Sequence, residues 1–343
     1  MKPASTLTVS SLLLLALATI APARADLNSD LAFTAFQNVD LNALAGGQVL
    51  QSRGGLLPFP RGIISQSLYV IDAQPADVAA KLVHWNPATH PELKVWLHQS
   101  IPMQATPASF AALANLPDNS SVKFQIDSTA NFNPSSTTLQ LSQAEGQIIT
   151  SLAAQEKDPK ALYVKAWSQI LAGRVADFFA GRGGNDYDLG GSQVHPLNDV
   201  KSLFHADPKI YGAYQRLLNQ TPAKALANTA GAKLTPMDVY CDVFDVEGST
   251  AVGTGAIFQA PSGNSIQSAD MEYYTNYGVY ATVELEQLWP VTINGKAETL
   301  VWRDDLVSAP SIEYLHGTER LASTMIMLQE TKQGVDAFRS EFK

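Results

Sequence analysis

Residues 237–306 read MDVYCDVFDVEGSTAVGTGAIFQAPSGNSIQSADMEYYTNYGVYATVELEQLWPVTINGKAETLVWRDDL, and this stretch decides the fold class. Apolar and polar side chains alternate along it with period two, as half-buried strands require. The pattern predicts strands at 238–247, 251–260, 269–277, 279–289 and 297–306. Gly248, Pro261-Ser262-Gly263, Gly278 and Asn294-Gly295 separate them. Asn-Gly between two such runs is a strong hairpin signal, because both residue types accept positive φ. Connections this short join antiparallel neighbours, so the stretch is an antiparallel meander.

Working outward, Leu321, Met325, Leu328, Val335, Phe338 and Phe342 recur at helical spacing, which predicts one long helix over 318–342. An apolar stripe of that length needs a partner surface, and the preceding sheet is the nearest one. Upstream, residues 142–230 change to a helical pattern. Asp158-Pro159 opens a helix with Tyr163, Trp167, Ile170, Leu171, Val175 and Phe178 on one face. Shorter helices are expected at 200–205 and 210–218, with another starting at Thr221-Pro222. Towards the N-terminus come a strand over 63–73, a helix from Pro75 through Val83, a strand over 93–101 and a helix opening at Thr106-Pro107. Leu31, Phe33 and Phe36 suggest a short helix or an arm laid on the body. No repeat or low-complexity linker divides the chain. The expectation is an α+β fold: an antiparallel C-terminal sheet packed on a long C-terminal helix, with residues 26–343 as a single domain carrying a helical insertion at about 142–230.

The first twenty-five residues have a different character. Lys2 precedes an uncharged apolar run from Leu12 to Ile20, and Ala23-Arg24-Ala25 fits a small-x-small cleavage site. This reads as a signal peptide, which places the mature chain in the periplasm of a bacterium or outside the cell. The run is short for a membrane span, and no cysteine follows the cleavage point to carry a lipid. No transmembrane segment is expected after cleavage. The chain carries 23 basic and 32 acidic side chains, for a formal charge of −9, and losing Lys2 and Arg24 makes it more acidic still. It lacks the basic stripe that nucleic acid requires. With 45% hydrophobic and only 16% charged residues, the composition is that of a packed globular protein. Cys241 is the only cysteine, so no internal disulfide forms; it alternates with Val239 and Val243 as a small core residue.

Catalytic motifs are missing: no nucleophile elbow, no His-Glu-x-x-His, no phosphate-cradling loop. His84, His90 and His98 are separated by prolines and lack ligand spacing, so neither metal nor cofactor is expected. The glycine-rich segment 181–191 holds Asp186 and Asp188, a weak match to a single calcium-binding turn and a candidate lid. Asp270/Glu272 and Glu284/Glu286 are carboxylate pairs two residues apart, each on one strand face, and read most simply as the solvent side of the sheet. Tyr273, Tyr277, Trp289 and Trp302 are the candidates for lining a pocket for a hydrophobic ligand.

The order of strand, helix, intervening helices, meander and final helix resembles the helix-grip arrangement of the START and Bet v 1-like superfamily. Trp302-Arg303-Asp304 on the last strand and Thr318-Glu319-Arg320 at the helix start accompany that order. The resemblance covers about 63–85 and 238–343, whereas 94–230 departs from it. It implies a curved sheet around the last helix, enclosing a cavity for lipids or other hydrophobic molecules. The leading expectation is thus an exported, soluble protein binding a hydrophobic or amphipathic small molecule between the sheet and the C-terminal helix. A competing one is an exported hydrolase or lyase with a dispersed site, using His195 or His205 with Asp186 or Asp188. A third is a structural envelope protein with no small-molecule site.

Overall fold

Positive φ at Glu247 and Gly248 (53° and 84°), at Gly263 (62°) and at Asn294 and Gly295 (52° and 82°) closes three tight hairpins. They join three pairs of successive strands in the C-terminal part of the sheet, seen in a computed structural model that describes residues 27–54, 57–136, 138–181, 187, 194–222 and 234–343. The signal-like segment 1–25 lies outside the described residues. The strands are β1 (Leu50–Ser52), β2 (Gly62–Ile71), β3 (Val95–Ser100), β4 (Asp238–Val246), β5 (Ser249–Ser262), β6 (Ser265–Thr275), β7 (Ala281–Ile293) and β8 (Lys296–Ser308). They form one sheet in the order β1-β2-β8-β7-β6-β5-β4-β3, with every neighbour antiparallel. The helices are α1 (Leu27–Asp30), α2 (Leu41–Ala45), α3 (Pro75–Val83), α4 (Ser120–Ala130), α5 (Gln143–Ala153), α6 (Pro159–Phe179), α7 (Pro196–Phe204), α8 (Pro208–Leu218), α9 (Pro310–Glu313) and α10 (Gly317–Ser340). The chain is α+β, as the period-two pattern and the helical middle require.

The main core lies between one sheet face and the helical middle. Val239, Cys241 and Val243 of β4, Ala256 and Phe258 of β5, Met271 of β6, Leu285 of β7 and Trp302 of β8 pack with Tyr163, Trp167, Leu171 and Phe178 of α6 and with α7 and α8. Helix α4 was not legible in the sequence, because Ser120–Ala130 has no continuous apolar stripe. Polar contacts hold it instead. Asn119 caps its start, and Trp167 Nε1 donates to Thr129 Oγ1 at 2.9 Å. The helix expected at Thr106-Pro107 is a 3-10 segment, Pro107–Asn115, kinked at Phe110.

The opposite face is covered by α3 and α10. The stripe expected on α10 holds at Leu328, Val335 and Phe338, which are buried, but not nearer the N-terminus, where Leu321 and Met325 are 43% and 55% exposed and Thr324 and Met327 face inward, as Thr331 does further on. The reason is the surface beneath. Val335 and Phe338 meet Tyr69, Ile71, Leu288 and Val301, and Met327 packs with Ile63, Ala309 and Ile312, but between these two apolar contacts α10 crosses polar residues. There Thr331 Oγ1 donates to Asp305 at 3.0 Å and lies 3.4 Å from Ser65 Oγ, so threonines face inward where leucines would be unmatched.

Candidate functional site

Strand β5 carries Gly253 and Gly255 in its interior, an arrangement that weakens a strand unless another group needs the space. A Cβ at Gly255 would run into the Tyr240 ring, and one at Gly253 into a Glu272 carboxylate oxygen. The bare backbone therefore lets Tyr240 reach across β5 from β4 and donate to Asp270 Oδ1 on β6 at 2.7 Å. Two glycines turn the middle strand into a trough with acids laid over it.

The register builds the rest. Across β6 and β7, Ser268 opposes Glu286, Asp270 opposes Glu284 and Glu272 opposes Thr282, and all six line one cleft of about 350 Å³. Arg303 of β8 pairs with Glu284 and binds Asp305 through Nη2 at 2.6 Å. At the far edge His98 Nδ1 and Asp242 Oδ1 are 2.8 Å apart. Leu82, Trp85, Phe244 and Ile257 make the apolar part of the wall. A smaller hollow of about 290 Å³ shares Thr282, Glu284 and Arg303 and runs under Met327, Glu330 and Thr331 of α10. Trp85 packs on Phe338, and Lys81 and His90 both bind Glu341, which ties the α3 side of the roof to α10.

The electrostatics of the floor are those of acids held away from water. Burial is the main force raising Asp270 to about 7, with Asp242 and Glu286 adding to it against the Tyr240 hydrogen bond. Glu284 is likewise pushed up by burial, against the pull of Arg303. Glu272 and Glu286 are raised well above the usual carboxylate range, by burial first and then by neighbouring carboxylates. His98 ends above its ordinary value because Asp242 outweighs the opposing effect of burial. Glu272 and Glu286 are 7% and 3% exposed, and each keeps one Oε1 without a hydrogen-bond partner. The Trp85 indole N–H is also unpartnered. An unmatched buried polar atom costs about 1–3 kcal/mol, so the protein holds these groups at a penalty.

The residues singled out in the sequence fall elsewhere. Tyr273, Trp289 and Trp302 lie under the helical layer, on the far side of the sheet from α10. Tyr273 stacks on Phe178 at 3.8 Å, and Trp302 packs edge-on to Phe33 at 4.9 Å. Tyr277, in the β6–β7 connection, meets Phe124 and lines a different hollow of about 750 Å³ with Arg61, Tyr280 and Tyr314. His195 and His205 are exposed and cap opposite ends of α7, roughly 15 Å apart at a rise of 1.5 Å per residue. Asp186 and Asp188 lie outside the described residues, as does most of the segment after Thr221-Pro222. Asp270, Glu272, Glu284 and Glu286, read as the solvent side of the sheet, face the cleft instead. That face is roofed by α3 and α10, which the strand pattern alone does not reveal. The signal that could have found them is the glycine pair inside β5, Gly253 and Gly255, which the sequence reading passed over.

Among the described residues no group of three or more His, Cys, Asp or Glu side chains converges as a metal ion would need. No described helix is long and apolar enough to cross a membrane. No family model matches the chain, and neither the curated proteins nor the solved structures give a significant match.

Proposed function

We propose that the protein binds an amphipathic small molecule in the cleft between the sheet and its α3–α10 cover. The observation that carries this reading is the pairing of an apolar wall, Leu82, Trp85, Phe244 and Ile257, with a floor of hydrogen-bonding groups that are not fully matched. Ligand sites combine apolar enclosure with a few placed polar groups in this way. The sequence-derived expectation of a ligand between sheet and C-terminal helix is kept, with its polar end made dominant. The reading of 1–25 as a signal peptide places this binding in the periplasm or outside the cell, and the mature N-terminus is then Asp26.

Native mass spectrometry and solvent extraction of the purified full chain test the proposal. The expected result is a co-purifying small molecule that is lost in Leu82→Trp, which fills the cleft. A bare chain, together with no thermal shift from any member of a set of amphipathic cations, anions and neutral molecules, overturns it.

A further inference from the structure

We propose that the ligand of the cleft is a linear polyamine, whose ammonium groups supply the hydrogen bonds that Glu272 Oε1 and Glu286 Oε1 lack. This rests on the reading of the cleft as a ligand site. The placement of the two bare oxygens carries it. Glu272 belongs to the outer rung opposite Thr282, and Glu286 to the rung opposite Ser268 at the other end. Between them lies the Asp270–Glu284 rung, whose carboxyls already bind Tyr240 and Arg303. The two outer rungs are four residues apart, about 13 Å along the strands. One ammonium cannot serve both ends. A chain with cations at intervals can.

Charge and surface agree. The cleft holds Asp242, Asp270, Glu272, Glu284 and Glu286 against Arg303 and His98; burial favours the protonated form of Glu272 and Glu286, and an arriving ammonium, unlike an anion or a neutral chain, stabilises their ionised form, so it binds as those protons leave. Both Glu272 and Glu286 are more than nine-tenths buried, so the ammonium contacts form where water screens them least. The methylene segments of a polyamine would run along Leu82 and Ile257, in the same wall as Trp85. The chain also fits where a metal ion does not, because the acids are spread along a row and do not converge.

Isothermal titration of the full chain with spermidine and with 1,8-octanediol, a neutral chain of similar length, tests this. Spermidine should bind at least about tenfold more tightly than the diol, and Glu272→Gln with Glu286→Gln should weaken spermidine by at least about tenfold. Asp127→Asn with Glu319→Gln removes the same charge from exposed positions and should leave binding unchanged. Glutamine keeps the shape of the side chain and a melting curve confirms the fold; should the double variant melt early, each single variant repeats the measurement. Equal binding of diol and spermidine, unchanged spermidine binding in the cleft variant, or an equal loss in the surface variant overturns the polyamine. The cleft reading itself falls separately, if Leu82→Trp leaves a co-purifying ligand in place or if the chain is bare and shows no thermal shift.

Discussion

Tyr240 and Gly255 act as one unit, because the phenol occupies the space a side chain at 255 would need. Gly255→Ala should lift the ring from Asp270 and cost about 1–3 kcal/mol, the usual penalty for overpacking. The same substitution in a Tyr240→Ala background should cost far less, as urea unfolding of the four proteins will show; an equal cost in both backgrounds refutes the link. On the other face of the sheet, Asp304 is fully buried and neither carboxylate oxygen has a partner. Burial, with Asp305 adding to it, raises it well above the usual carboxylate range, so the core disfavours its charge. Asp304→Leu replaces it with an apolar side chain of similar size and should raise the melting temperature. A drop would mean that the carboxyl does have a role in the native state. The buried Glu145–Arg174 pair, 2.7 Å apart, behaves in the opposite sense. Removing one partner with Arg174→Met should cost about 3–5 kcal/mol, because it strands a charge in the core.

At the scale of elements, legibility followed how strongly each pattern depended on its neighbours. Helix α3 was read at its true limits, since Pro75 sets its first turn and the pattern ends at Val83. The β4–β8 hairpins were legible because Gly and Asn at positive φ mark them locally. Helix α10 was found and Leu328, Val335 and Phe338 were placed on its buried face, but Leu321 and Met325 were misread and Thr331 was missed, because Ser65 and Asp305, on strands distant in sequence, help to decide that face. The site was the least legible part. Its acids look like surface residues in a strand, and only the roof from α3 and α10 turns them into a cleft. The corrected face of α10 predicts a contrast: Phe338→Ala should cost about 3–5 kcal/mol, whereas Met325→Ala should stay within about 0.5 kcal/mol. Chemical unfolding of both variants checks this, and comparable losses would restore the original stripe.

For the whole molecule, the acidic floor ties stability to pH. An acid whose folded pKa lies above its unfolded one binds its proton more tightly when folded, so stability is full below the unfolded value and falls as pH rises through the window. For Asp270 that window runs from 3.8 to about 7. His98, also raised, stabilises below its unfolded value and loses that contribution as pH rises through its folded one, which acts in the same direction. Glu272, Glu284 and Glu286 add to the trend, while Arg303 is the cation facing them. The lowered Glu156 and Glu341 lose their contribution only as pH falls below the ordinary carboxylate range, so they barely oppose the trend above pH 5. The melting temperature should therefore be higher at pH 5 than at pH 8, with a flatter profile in Asp270→Asn; a rise toward pH 8 would mean the acids are ionised in the fold. The order of the strands also bears on how the sheet assembles and opens. β3 and β4 are neighbours, yet residues 101–237 run between them, whereas β4 to β8 join through short turns. Contacts across a long intervening chain form late, and an edge strand paired on one side is cheap to release. Backbone amides of Val95–Ser100 should exchange with deuterium well before those of β6 and β7. His98 sits on β3, so release of that edge strand would part it from Asp242 and uncover the far edge of the cleft.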